Sequence, residues 1–478
     1  MRFLRLVALS AALLLVAGLL SNPSVAEAAS KKPSAVTKVT ATPGASPGTV
    51  TFRWKSAGKR TDYFVLETAL SSFSKSAKSS LPKSGRHARK FKISAKSRSW
   101  TMSAAQAKSA GAPLGSANYL YYRFTAVNKV GKKTYTKAYP KLQIVMPKEP
   151  VAGSKSAKSS NASSTTSKGT GVRVATFNLL TAQLGKGSRS WLNRVDDVAA
   201  DILSTGAGVV LLQETSPGRA DGVNAPIGNV GRQTTTLVDQ LKKQGGSKYD
   251  YTMVRTTSYV NWNLPSGTQG TRILYDNKRF KLLSDCPEYT GKDSYHSSCS
   301  FALPILSGDS ESKRRRGNYA LLQDRSTGQQ FWAVSAHLDE RHSSNKKTGA
   351  RYDQLRGNQA RSIVTLVNKV NTKNYPVVLG ADINTWQNDR SGYSGHDALV
   401  AGGFYDTKAS ASRTNVAYTT VNEFKTRLTK HSSGLGSHLD VVMVKGGRGS
   451  ADRWVNLMKN PDATRASDHN LVYADITI

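Results

Sequence analysis

The chain has 478 residues, a formal net charge of +37 at pH 7, and 38% apolar and 21% charged residues. That composition excludes a disordered or fibrous protein, and the length implies two or three domains. The charge is uneven: residues 31–170 carry +24 and residues 171–478 carry +12, which points to a polyanionic partner. Nucleic acid, an anionic cell-wall polymer and an acidic membrane surface all fit, and no stable protein partner is predicted.

At the N-terminus, Arg2 and Arg5 precede the apolar run Val7 to Leu20, and the small residues Ala26 and Ala28 follow. A charged start, a short apolar core and an Ala-x-Ala site read as a cleaved secretory signal over residues 1–29. The run is short for a membrane span. The mature protein is therefore expected to be secreted, with retention at the cell wall left open. Cys286 and Cys299 are the two cysteines. An even count at short separation in an exported chain predicts one disulfide. Zinc is disfavoured, because the neighbourhood offers only His296 as a further ligand.

Residues 33–147 read as a small all-β module. "GTVTFRWKS" around Trp54 alternates and is rich in strand formers, and "TDYFVLETAL" follows. "NYLYYRFTAVNKVGKKTYTKAY" predicts a hairpin turning at Asn128-Lys129-Val130-Gly131. With the opening "PSAVTKVTATPG", this pattern resembles a fibronectin type III domain, which implies a β-sandwich that binds or spaces. Its lysines fit it to an anionic surface. Residues 148–170, rich in Ser, Thr, Ala, Lys and Gly, read as a flexible linker.

From residue 171 strands alternate with amphipathic helices, the rhythm of a layered α/β domain. The strands are "VRVATFNLL", "GVVLLQET", "QFWAVSAHLD" and "YPVVLGADIN"; the helices are "SWLNRVDDVAADILSTG" and "RGNQARSIVTLVNKVN". Polar residues collect at the strand ends. Asn178 interrupts an apolar strand, Gln213 and Glu214 close another, and His337 closes a third. Asp382 and Asn384 end a fourth, Asp440 opens "DVVMV", and Asp468-His469 lead the last strand. Buried amides and acids need partners, so six such ends imply one shared cluster. Carboxylates with an amide suit Mg²⁺ or Mn²⁺, with Ca²⁺ as a supporting ion. Two histidines add proton transfer and donors for developing negative charge. No G-x-S-x-G elbow or Walker loop lies in residues 171–478, so water is the expected nucleophile and phosphorus the expected electrophile.

The ordered set T-F-N, Q-E, H-L, G-A-D-x-N, a strand-leading Asp and S-D-H resembles the endonuclease/exonuclease/phosphatase superfamily over nearly all of 172–478. The resemblance implies a four-layer α/β sandwich with two central sheets, following the small all-β sandwich domain. It implies Glu214 as principal metal ligand, Asp468 as a further ligand, and Asn178 supporting the metal and orienting phosphate. It implies Asp382 positioning or deprotonating water, with Asn384 contacting phosphate. His337 and His469 would bracket the phosphate, and Asp440 would pair with His469. Two departures stand out. Leu180 occupies a position where some members carry an acid, and no acid lies between Ser266 and Arg272 to partner His337. Arg272 reads equally as a phosphate contact or a surface ion pair. The basic loop "SKRRRGN" also stays open, between an exposed turn and a phosphate contact. His431 and His438, in a Ser/Gly-rich loop, are expected at the surface.

The implied function is a secreted metal-dependent nuclease acting on DNA, with RNA not excluded. The alternative is a phospholipase, sphingomyelinase or phosphatase using the same core, for which the only apolar-aromatic loop is Tyr259 to Leu264.

Overall fold

The computed structural model describes residues 31–34, 36–55, 60–70, 87–139, 143–149, 169–216, 218–255, 270–286, 298–389, 391–447, 451–458 and 465–478. The expected signal segment, the Tyr259–Leu264 loop, Gln269 and His296 lie outside these residues.

The N-terminal module is a two-sheet β-sandwich. Its strands are β1 (Thr37–Pro43), β2 (Val50–Lys55), β3 (Tyr63–Ala69), β4 (Arg89–Ser94), β5 (Ser99–Met102), β6 (Leu120–Val130), β7 (Lys133–Ala138) and β8 (Gln143–Val145). One sheet runs β1-β2-β5; the other runs β4-β3-β6-β7, with β8 on β6. Alternation in "VTFRWK" sends Val50, Phe52 and Trp54 inward. Trp54 packs on Phe64 and Phe124, with ring centroids 5.3 and 4.5 Å away. The hairpin turns later than the sequence implies. β6 runs on to Val130, which pairs with Lys133, so the loop is Gly131-Lys132. Gly131 takes the positive φ (60°) that such a tight loop needs at its first position. Lys148 and Glu149, expected in the linker, are tied to this module: Lys148 N–H donates to Thr49 O at 2.9 Å, and Glu149 accepts from Gly115 N–H at 2.9 Å. At the other end Thr170 exchanges backbone bonds with Ile478. Residues 150–168 lie outside the described residues.

The C-terminal domain stacks two seven-stranded sheets between helices. The first sheet runs β11 (Tyr251–Met253), β12 (Gly270–Asp276), β10 (Val209–Thr215), β9 (Gly171–Asn178), β22 (Val472–Thr477), β21 (Ala451–Asn456), β19 (Ser412–Thr414). The second runs β13 (Phe280–Leu282), β15 (Arg316–Asp324), β16 (Gln330–His337), β17 (Val377–Asp382), β20 (Asp440–Lys445), β18 (Tyr405–Asp406), with β14 (Ser300–Ala302) on β15. Strand alternation divides the core. In β10, Val209 and Leu211 face the inter-sheet layer, while Val210 and Leu212 lie under the helices Trp191–Thr205 and Gln233–Gly245. The second sheet is covered likewise by the helices Lys346–Val370 and Ser394–Ala401. Burial on both faces explains why "VVLL" reads as a continuous apolar run. Gly380 of β17 lets the sheets approach: a Cβ there would lie 2.6 Å from Leu211 Cβ. The helix before β17 starts ten residues earlier than its apolar pattern, because Asn345 caps it by accepting from Lys347 and Thr348 N–H. The result is the four-layer sandwich.

Candidate active site

Strand register assembles the site. In the second sheet His337 is the Cα partner of Asp382, and Asp382 is the partner of Asp440. In the first sheet Asn178 is the partner of Gln213. Three neighbouring strand ends thus place an imidazole and two carboxylates in one row. The inner faces that hold Val174, Leu211, Val378 and Val442 at mid-strand turn polar at this edge.

Asp382 is the centre. Its Oδ2 accepts from Asn178 Nδ2 at 3.0 Å and lies 3.5 Å from His337 Nε2 and 3.9 Å from His469 Nε2. Its Oδ1 accepts from Asn384 N–H at 2.9 Å. Burial lifts the Asp382 carboxyl to about 7; the His469 charge opposes that shift. His469 Nδ1 meets both oxygens of Asp440, at 2.9 and 3.1 Å. Burial works against the imidazolium, but Asp440, Asp382 and Asp468 outweigh it and hold the His469 pKa well above the usual histidine range.

The second histidine differs. Asn384 Nδ2 donates to Leu338 O at 3.0 Å and to His337 Nε2 at 2.9 Å, so that ring nitrogen is an acceptor. Arg315 Nη1 lies 3.5 Å from the other nitrogen, and Arg315 also pairs with Glu340. Burial, then Arg315 and His469, push the His337 pKa well below its usual value. The site therefore pairs a cationic imidazole with a neutral one. The group beside His337 where a carboxylate was missing from the sequence is Asn384.

Asn178 bridges the acids. Its Nδ2 donates to Glu214 Oε1 at 3.1 Å as well as to Asp382, and its Oδ1 accepts Leu180 N–H at 3.1 Å. The backbone donor fixes the amide's orientation and leaves the oxygen a second lone pair. Glu214 Oε2 also accepts from Thr181 N–H at 3.3 Å. Burial and the neighbouring Asp468 charge raise the Glu214 pKa. Two half-buried carboxylates whose charges act on each other are a fitting place for a hard cation. The atoms of Asp382, Asp440 and His469 also lie within 4.8 Å of one another. There the histidine already engages both Asp440 oxygens. Leu180, Glu214 and Asn384 all adopt left-handed φ (52°, 53° and 49°). For non-glycine residues that is strain, and it collects at this edge.

Other expected residues fall elsewhere. Gln213 is wholly buried between the sheets, accepting from Thr176 Oγ1 at 3.2 Å and donating to Ser335 Oγ at 3.3 Å. Arg272 lines a separate cleft of about 750 Å³ with Thr234, Asp250 and Arg255; the guanidinium placed against His337 is Arg315, from the basic loop. His431 is exposed, as expected. His438 is buried, set against Trp454 with ring centroids 5.1 Å apart and 3.1 Å from Tyr418 O, which corrects the surface reading. Cys286 and Cys299 form a disulfide. Two supporting residues were not singled out in the sequence. Arg194, at a core-facing helix position, donates to Ala466 O at 3.0 Å and to the carbonyls of Leu179 and Leu180. Ser467 Oγ donates to Asn178 O at 2.7 Å. A basic residue within the apolar stripe of "WLNRVDDV" was the available signal for the first.

No curated protein matches the chain. Among solved structures it is similar to an endonuclease/exonuclease/phosphatase of Bacteroides vulgatus at 19% identity, covering 64% of this chain and 98% of that one, with a TM-score of 0.44. It is also similar to a mannosyl-6-phosphatase of Bacteroides thetaiotaomicron (17%, 63% and 98%, TM-score 0.42). A third is D. rerio TDP2 complexed with a single-strand DNA product (15%, 64% and 98%, TM-score 0.39). Residues 175–469 match the Endonuclease/Exonuclease/phosphatase family pattern, and the chain belongs to that family.

Proposed function

We propose that the protein is an exported, divalent-metal-dependent phosphodiesterase that hydrolyses DNA. The observation that carries the reading is the convergence on Asp382 Oδ2 of Asn178, His337 and His469 at 3.0, 3.5 and 3.9 Å. A carboxyl lifted to about 7 by burial is matched to taking a proton from water near neutral pH. His469, held cationic by Asp440, donates from Nε2 to a phosphoryl oxygen as charge develops. Arg315 adds a fixed cation beside neutral His337. A divalent ion held by Glu214 and Asp468, Mg²⁺ or Mn²⁺, supplies charge neutralisation at the phosphate.

The net charge of +37 supports nucleic acid as substrate, because phosphate neutralisation dominates non-specific affinity for it. The basic N-terminal module supports the same choice, and equally attachment to an anionic wall polymer or membrane surface. Arg2, Arg5, the apolar run to Leu20 and the Ala26-x-Ala28 site support export. The test is incubation of the mature protein with plasmid DNA and Mg²⁺, with and without a chelator. Chelator-sensitive cleavage is expected. If DNA stays intact while a choline-headgroup lipid or a sugar phosphate is hydrolysed, the substrate assignment fails and phosphoester chemistry survives.

A further inference from the structure

The N-terminal module meets the C-terminal domain at the loop that follows the catalytic strand end. Gln387, three residues past Asn384, is buried. Its Oε1 accepts from Tyr119 N–H at 3.0 Å, and its Nε2 donates to Tyr119 O at 2.6 Å and to Leu70 O at 3.2 Å. One side-chain amide thus takes the place of a neighbouring strand for Tyr119, just before β6 begins. Asn388 Nδ2 donates to Tyr121 Oη at 2.7 Å, and Asp406 N–H donates to Gly115 O at 2.8 Å. Tyr119 and Met146 belong to the same buried apolar cluster as Tyr405 and Trp454. A module tethered only by a flexible linker would expose these groups. Leaving buried backbone donors and acceptors unpaired costs about 1–3 kcal/mol each, so the contact is built rather than incidental.

The loop is also held from within the C-terminal domain: Ile383 N–H donates to Leu439 O at 2.8 Å, His342 Nδ1 lies 3.5 Å from Asp389 Oδ2, and Arg356 Nη2 donates to Ser391 Oγ at 3.2 Å. Thr385 Oγ1 donates to Gly392 O at 2.7 Å, and Asp389 N–H donates to Trp386 O at 2.9 Å. Upstream, Asn384 stands at a φ of 49° while its amide holds His337 and its N–H holds Asp382. Strained backbone persists only where the surroundings over-determine it.

We infer that the β module is a positioning element of the catalytic site: through Gln387 and Asn388 it fixes the loop that sets Asn384, and through Asn384 the placement of His337 and Asp382. The inference rests on the phosphodiesterase reading above. It differs from an anchoring role, in which the module would only raise local substrate concentration.

The test uses the full chain carrying Gln387→Ala, and separately Tyr121→Phe, which removes the Asn388 contact with little risk to folding. Two measurements are made. Hydrogen exchange at the amides of residues 383–388 should quicken roughly tenfold or more in Gln387→Ala while the central strands stay protected. On bis(p-nitrophenyl) phosphate, too small to touch the module, kcat should fall roughly tenfold with KM little changed. Tyr121→Phe should move both in the same direction by less. Unchanged exchange, or quickened exchange with unchanged kcat, overturns the positioning role. A rise in KM on DNA alone, with the small substrate unaffected, overturns it in favour of anchoring. If the wild-type protein cleaves neither substrate, the phosphodiesterase reading is what fails, and exchange alone decides whether the module braces the loop.

Discussion

Asp440→Asn is the sharpest probe of the candidate site. The carboxylate meets His469 Nδ1 through both oxygens, at 2.9 and 3.1 Å, and is wholly buried. Asparagine keeps the shape but removes the charge and turns one acceptor into a donor. A hydrogen bond to a charged group is worth about 1.5–3 kcal/mol. If Asp440 acts by holding a cationic His469 toward the phosphate, that energy is lost from the transition state. Each 1.36 kcal/mol is tenfold in rate, so kcat should drop about ten- to two-hundredfold. The assay is steady-state cleavage of a short duplex, with thermal unfolding as a control for folding. A double-mutant cycle sharpens it. Asp440 has no other role in this scheme, so in a His469→Ala background Asp440→Asn should cost less than about twofold further. A single variant within twofold of wild type, or full additivity in the double, would refute the dyad.

Three further outcomes follow from the same structure. Glu214→Gln should abolish Mg²⁺-dependent turnover yet raise the Tm of the metal-free protein, since burial and Asp468 already disfavour its ionised form; a lower Tm would contradict the electrostatics. Glu149, buried where the module meets the C-terminal domain, is lifted by burial from 4.5 to about 8. Between those values the folded protein keeps a proton that the unfolded chain has released, so stability should fall as pH rises through the window, by at most about 1.4 kcal/mol per pH unit. Glu149→Gln should flatten that slope in unfolding curves taken from pH 5 to 8, and an unchanged slope would exclude Glu149 as its source. Replacing Cys286 and Cys299 by Ser opens a loop of sequence separation 13 and should lower stability by about 3 kcal/mol in denaturant titrations, with no loss of kcat at permissive temperature.

The catalytic strands were legible because burial on both faces leaves apolar runs, and because a polar residue closing such a run has few uses beyond a site. What escaped depends on distance in sequence. Arg315 lay in a visible basic loop, but nothing local says that its guanidinium packs on His337 while its neighbour Arg316 begins β15. Arg272 sat on a recognised strand, yet it is the Cα partner of Leu212, a residue of the layer under the helices, and lines a cleft on another side. His438 looked exposed because Ser and Gly surround it, whereas Trp454 from a strand closes over it. Gln387 carries no periodic signal at all, since a side chain that imitates a strand partner obeys neither the two-residue nor the 3.6-residue rule.

Register also explains why the site tolerates so little change. His337, Asp382 and Asp440 share a row because two strand pairings, one parallel and one antiparallel, end on the same residue. A slip of one residue in either would turn a catalytic side chain from the inter-sheet face to the helix face. Asn384 cannot be held by that ladder. It lies two residues past Asp382, beyond the end of β17, in a backbone conformation that asparagine adopts at a cost. Strand pairing therefore secures His337, Asp382 and Asp440, whereas Asn384 depends on what grips its loop. Part of that grip comes from residues far earlier in the chain: Gln387 to Tyr119 spans 268 positions. On this view the module and the catalytic edge form one unit, and substitutions at the Tyr119–Gln387 contact belong with those at the site itself.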